Sequence, residues 1–463
     1  MKRIKYYLTA LVVGALLLSS CSESFFDINV DPNSPSTASP TLVLPSGISG
    51  TAYVLGGYYM ALGGYWTQQY AQAPAATQWA DWETYNLTED DFDRQFISLN
   101  AGAIYDFEYI RKNTAPTSNW KFYSIATLMQ AYTYQVLADL YDKVPFTEAL
   151  KSVDNLQPHY DNGQVVYDSL LLRIDNAMSK DFTLNSEEDP GNSDLVFGGS
   201  MDDWKKFANT LKLKIYLRYV NVNPAKYSTK IKALLTENNF LDKDAKYSSF
   251  KAEQVGYNPF YSTFVDRLTG NVIANKTLMD TLTNRNDPRR TKIFSASATG
   301  ALYRGLATGD SKNHAVQTIK DYSTPTIGNV TPVYFFSKEE ALFLVAEAQE
   351  LYGTTTAAQL AYNDAINASF LSLGATIGTF KAPYNGIKSI IEQKWIAATN
   401  KNAIEAFFDL NRTGFPNFLS QSTTSVFNAG ERPKRLFFPA SERKTNQNTP
   451  AKVALTVPVW WAK

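Results

Sequence analysis

The chain has 463 residues, and its 44 Lys and Arg balance 44 Asp and Glu, so no net field draws it to nucleic acid or an anionic bilayer. With one cysteine it has no intrachain disulfide, and its two histidines, His159 and His314, lack the spacing of metal ligands. The length exceeds one ordinary core and calls for one large or two fused subdomains, while the 14% aromatic content supplies apolar faces with polar handles.

The N-terminus carries Lys2, Arg3 and Lys5, then an apolar run from Leu8 to Leu18 that ends in Ser19-Ser20-Cys21. A basic start, about 11 largely apolar residues and small residues at the exit predict a secretory signal, too short to span a bilayer. Leu18-Ser19-Ser20-Cys21 resembles the lipobox of bacterial lipoproteins, whose cysteine takes a diacylglyceryl group and becomes the new N-terminus. The resemblance implies that residues 1–20 are removed and that Cys21 is the lipidation site. Each buried methylene contributes about 0.8 kcal/mol, so two or three acyl chains hold a protein to the membrane effectively for good. The alternative is an ordinary secreted protein with an incidental cysteine. Glu23 is a thin version of the acidic stretch that follows the cysteine in surface-exported lipoproteins of the Bacteroidetes, which implies an outward-facing position.

Residues 21–45 read as the lipidated terminus and a tether, because Asp31-Pro32-Asn33-Ser34-Pro35 and Ser39-Pro40 favour extended backbone. Residues 46–463 form the main domain. Helical periodicity begins near Ala52, yet 46–87 is dominated by aromatics and is expected to belong to a loop-rich ligand side. Tyr65, Trp66 and Tyr70 suit a core. Trp79 to Asn86 follows Pro74 and lacks an apolar stripe, so it reads as a loop in which Trp79, Trp82, Tyr85 and Asn86 are candidate ligand-binding residues. The competing account has the same rings closing the core beneath a loop.

A helical scaffold is expected over about 88–242 and 333–420. Thr88 caps a helix whose first turn holds Glu89, Asp90 and Asp91, with Phe92, Phe96, Leu99, Ala103, Phe107 and Ile110 on one face. Similar stripes include Ile125, Met129, Tyr132, Val136 and Leu140, then Phe207, Leu211 and Ile215, and near the C-terminus Ala341, Leu344, Val345 and Ala348. Small residues among larger ones let helices approach closely, so the fold class is mostly α, a TPR-like helical superhelix, although no clean 34-residue repeat is readable. Between 243 and 332, Gly, Pro, Asn and Ser break the periodicity, which predicts an irregular loop-rich subdomain where Tyr257, Tyr261 and Tyr303 are further ligand candidates.

Catalytic patterns are wanting. Asp81, Glu83, Glu89, Asp90, Asp91 and Asp93 could supply the paired carboxylates of a glycoside hydrolase, but the last four suit a helix N-terminus. Phosphate-loop and nucleophile-elbow patterns do not occur. Oxygen ligands for calcium cluster at Asp161-Asn162-Gly163 and between Asn284 and Asp287, where turn chemistry accounts for them equally; no metal and no cofactor are expected.

Several stretches are similar to the SusD/RagB family, in its SusD-like branch. They are Asp27-Ile28-Asn29-Val30-Asp31-Pro32-Asn33, Phe197-Gly198-Gly199 with Trp204 to Leu211, Asn286-Asp287-Pro288-Arg289 and Tyr303-Arg304-Gly305. The fullest match runs from Ile391 to Ala397 and on through Glu405-Ala406-Phe407-Phe408-Asp409-Leu410-Asn411-Arg412-Thr413-Gly414, followed by Arg435-Leu436-Phe437-Phe438-Pro439 and Glu442. Phe408 and Asn411 depart from the more polar and basic residues expected there, a difference that should touch only local surface contacts. The resemblance implies a non-catalytic outer-membrane lipoprotein that captures an oligosaccharide or oligopeptide and hands it to a SusC-like TonB-dependent outer-membrane transporter. The alternatives are a lipid-anchored glycosidase or peptidase, and a structural surface protein or adhesin.

Overall fold

The computed structural model describes residues 38–462 apart from 75, 185–187 and 315. The secretory signal, Cys21 and most of the tether lie outside the described residues.

Helices dominate, and they pack as neighbouring pairs in a TPR-like arrangement. Helix Tyr105–Thr114 lies against Trp120–Tyr141, which lies against Gly163–Met178 and Met201–Arg218. Toward the C-terminus, Lys338–Tyr352 pairs with Thr355–Ser372, and Gly386–Ala398 with Ala403–Thr413. The Trp120–Tyr141 helix is buried on nearly every face, which its all-round run of apolar and small residues permits. Ser200, Ser337 and Thr354 cap their helices by accepting from the backbone N–H of Asp203, Glu340 and Ala357.

Three expectations about the N-terminal part are corrected. The first helix starts at Pro40, so residues 40–45 are not tether; a proline, which has no backbone N–H to satisfy, fits the first helical turn, and Leu44 and Ile48 are buried. This helix, Pro40–Val54, continues through a π-helical turn, Leu55–Tyr59, into Met60–Trp66, so 46–66 is scaffold and not loop. Thr88 caps no helix: its N–H and hydroxyl donate to Asp91 at 2.6 and 2.8 Å in a local turn, and the helix begins at Asp93.

Between 243 and 332 the elements are short. Three two-stranded antiparallel ladders pin chain segments together: Tyr70–Gln72 with Val272–Ala274, Lys143–Pro145 with Tyr160–Asn162, and Ala245–Tyr247 with Val333–Phe336. In the first, Tyr70 faces Ala274 and Gln72 faces Val272, which ties the aromatic 65–86 segment to the irregular region.

The sequence stretch Glu405 to Arg412 proves to be interior. Lys214 Nζ reaches Glu340 at 2.7 Å and Glu405 at 2.9 Å, and Arg218 reaches Asp139 at 3.0 Å and Glu405 at 3.1 Å. Lys394 pairs with Asp409 at 2.8 Å, and Arg412 with both Glu347 and Asp409. All of these side chains are buried, so each charge depends on its partners for the solvation it has lost. Burial opposes ionisation of Asp409, but Lys394, Arg412 and Arg218 together hold its carboxyl well below the usual range. Phe408 and Asn411 are also buried, so their departure from the family pattern concerns the packing of this network and not surface contacts. The Asp287–Arg289 pair, at 2.6 Å, is equally enclosed, with Gln393 and Ser369 accepting from the guanidinium. That pairing and the turn at Asp161, whose carboxylate accepts from Thr147, account for the oxygen clusters weighed as calcium ligands.

Candidate ligand cleft

The residues from Trp79 to Asn86 do not form an open loop. Ala80–Thr84 is a helical turn closed by Tyr85 in the left-handed region, φ 65°. Trp79, Trp82 and Tyr85 are only 6%, 3% and 3% exposed. The two indoles sit 4.6 Å apart and both pack on Phe264, while Tyr85 stacks on Phe427. The expectation of an exposed aromatic platform is therefore corrected: the rings lose more water-exposed area by joining the core than a loop could offer them. Asn86 alone is exposed, and it donates to Asp81 at 3.1 Å.

Glu83, in the same turn, is buried and has no ion-pair partner among the described residues. Its carboxylate accepts the backbone N–H of Gln72 at 2.7 Å and of Gly309 at 3.0 Å, tying the helical turn to a strand and to a distant loop. Burial pushes its pKa up to about 8, against the lowering effect of those two N–H groups.

The indole pair backs a cleft. Tyr58 packs edge-on against Trp79 at 6.0 Å and also touches Trp82 and Phe264, and its outer side lines a cavity of about 210 Å³. Tyr53, Arg94, Gln95, Ser98, Ser262, Thr263 and Arg267 complete the wall with Val54. Tyr53 is 55% exposed, and the amide oxygen of the buried Gln95 has no hydrogen-bond partner among the described residues. The three π-helical turns among the described residues, Leu55–Tyr59, Ser98–Ile104 and Tyr261–Arg267, all contribute to this wall, through Tyr58, Ser98, and Ser262, Thr263 and Arg267. A π turn inserts a residue into a helix and re-aims the side chains around it, and such turns occur often at functional sites. Here the first of them fits because Gly56 has no side chain; a Cβ there would lie 2.1 Å from Val333 Cγ2.

The remaining sequence candidates fall elsewhere. Tyr257 and Tyr261 are half-buried and packed edge-to-face at 5.2 Å, Tyr261 as the first residue of the third π turn, and neither lines the cleft. Tyr303 lies under Arg290 and borders a separate cleft of about 340 Å³ with Arg304, Asp310 and His314. Sequence reasoning missed Tyr53, Tyr58, Arg94 and Arg267. Their only signal was two tyrosines five residues apart around Gly56-Gly57, a spacing that shares a face only if the helix widens.

A family model described as "Starch-binding associating with outer membrane", SusD-like, matches residues 35–439. The chain belongs to the SusD/RagB family. Solved structures agree in fold. A SusD homologue from Bacteroides uniformis is 22% identical with a TM-score of 0.74, covering 91% of this chain and 99% of its own. A chitin-binding protein is 23% identical with a TM-score of 0.76, covering 92% and 100%. A chitin-binding SusD homologue from Flavobacterium johnsoniae is 18% identical with a TM-score of 0.75, covering 90% and 98%. No curated protein matches the chain in sequence. The SusD-like family consists of binding proteins associated with the outer membrane. No helix among the described residues is long and apolar enough to cross a membrane.

Proposed function

We propose that this SusD-like protein is a lipid-anchored outer-membrane protein that captures a saccharide and passes it to a TonB-dependent barrel transporter. The observation that carries the reading is the convergence of three π-helical turns on one cleft walled by Tyr53 and Tyr58. Tyrosine rings offer sugar rings an apolar face, while Ser98, Ser262 and Thr263 offer hydroxyls to their rims. Trp79 and Trp82 act from behind by holding Tyr58 in place, a positioning role. The family's starch-binding description and the chitin-binding structural neighbours support a saccharide over a peptide. Cys21 supplies the anchor.

Two measurements test this. Affinity electrophoresis against a glycan panel should find a retained polysaccharide, with retention cut at least several-fold in Tyr53→Ala; unchanged retention would remove the cleft from the account. Cys21→Ser should shift the protein from the membrane to the soluble fraction, and pull-down of the wild type from solubilised outer membrane should bring a barrel transporter with it. A Cys21→Ser protein that stays in the membrane, or a solitary wild-type chain, would count against anchoring and partnership respectively.

A further inference from the structure

The cleft holds positive charge that the fold does not neutralise. Arg94 and Arg267 both line it and are exposed, and neither side chain has an ion pair, hydrogen bond or ring contact among the described residues. Other arginines of this protein are engaged: Arg111 with Glu108, Arg285 with Glu392, Arg289 with Asp287 and Arg412 with Glu347. Among the described residues no carboxylate lines the cleft to offset the two guanidinium groups. The acids nearby in sequence are directed elsewhere, Asp91 to Thr88, Asp93 to Ser441 and Asp266 to Gln254, while Asp90 is exposed outside the wall.

A guanidinium is a planar fork of donors that matches a carboxylate or a sulfate and forms short, charge-assisted hydrogen bonds to either. In a neutral chain, two such forks in one aromatic-walled cleft give a local preference that net charge conceals. Resting on the saccharide-capture reading above, we propose that the cargo is an acidic saccharide, a uronic acid or sulfated sugar, whose anionic group is held by Arg94 and Arg267 while a sugar ring lies on Tyr53 or Tyr58. A neutral glycan could use the tyrosines but would leave both guanidinium groups in water.

Isothermal titration of the purified chain tests this with an oligogalacturonide, a chondroitin sulfate oligosaccharide, maltoheptaose, a chito-oligosaccharide and an acidic peptide. At least one acidic saccharide should bind about ten-fold or more tightly than the neutral ones, the difference expected of one charge-assisted contact. Arg94→Gln and Arg267→Gln should each remove most of that advantage, and added salt should weaken it. Whether the carboxylated or the sulfated sugar binds identifies the source of the anion. Equal binding of neutral glycans, insensitive to both arginine variants but weakened by Tyr53→Ala, would overturn the acidic cargo and leave the cleft standing. Saccharide binding untouched by Tyr53→Ala and by both arginine variants would overturn the cleft itself. Binding of the acidic peptide alone, or of nothing in the panel, would overturn the acidic saccharide.

Discussion

Replacing Lys214 by Met removes one charge from the interior and leaves the side chain's length and apolar stem in place. The Lys214 ammonium lies 2.7 Å from Glu340, 2.9 Å from Glu405 and 4.1 Å from the ring centre of Phe336, with no exposure to water. Glu405 keeps Arg218 at 3.1 Å, so the loss falls on Glu340, a buried carboxyl for which Lys214 is the one cation within ion-pair distance among the described residues. Breaking one side of a buried ion pair costs about 3–5 kcal/mol. With unfolding entropy of about 2.1 cal/mol/K per residue over roughly 400 ordered residues, that is a fall in Tm of about 3–6 °C. The pH dependence separates this account from simple loss of packing. Burial already raises the Glu340 pKa above its ordinary value, with Lys214 opposing the rise and the Glu405 charge adding to it. Without Lys214 the rise grows. A carboxyl raised in the folded state contributes its stability below its unfolded pKa and loses it as pH climbs through the folded one. Calorimetry should therefore show a small deficit for Lys214→Met at pH 5 and the full deficit at pH 8, with Glu340→Gln in the same chain recovering most of it. A deficit under about 1 °C at pH 8, or one equal at both pH values, would refute the reasoning.

Glu83, raised by burial to about 8, follows the same sign: its contribution is complete below about 4.5 and disappears as pH rises through 8. The wild type should therefore lose about 2 kcal/mol between pH 6 and pH 8 relative to Glu83→Gln, read from denaturant melts at each pH; parallel curves would sink the idea. Gly63 lies where the Met60–Trp66 helix meets the start of Ala403–Thr413, and a Cβ there would sit 2.4 Å from Ile404 N and 2.5 Å from the Ala403 carbonyl. Gly63→Ala should cost about 1–3 kcal/mol of stability by forcing the helices apart, and an unchanged denaturation midpoint would show that they can yield.

Much of the helical scaffold was legible because its signal is local. The stripe from Ile125 to Leu140 specifies its helix through contacts within a few residues, and the buried positions follow from the same spacing. The motif from Glu405 to Arg412 was legible as a family mark but not as an interior charge network, since its partners Lys214, Arg218, Glu347 and Lys394 come from other helices.

The ligand side was misread for the same reason. Trp79 and Trp82 have the composition of a stacking platform, and only the arrival of Phe264 and Tyr58 from other segments decides that they face inward. The amino-acid sequence by itself determined the family and the mostly helical TPR-like class, because these rest on short-range motifs and spacing, while the one cap it offered, at Thr88, fell in a turn. Tertiary structure alone decided which aromatics meet water and which arginines remain unpaired, because exposure and pairing are set by segments distant in the chain: Tyr53, Arg94 and Arg267 share one wall only after three widened helical turns are packed together.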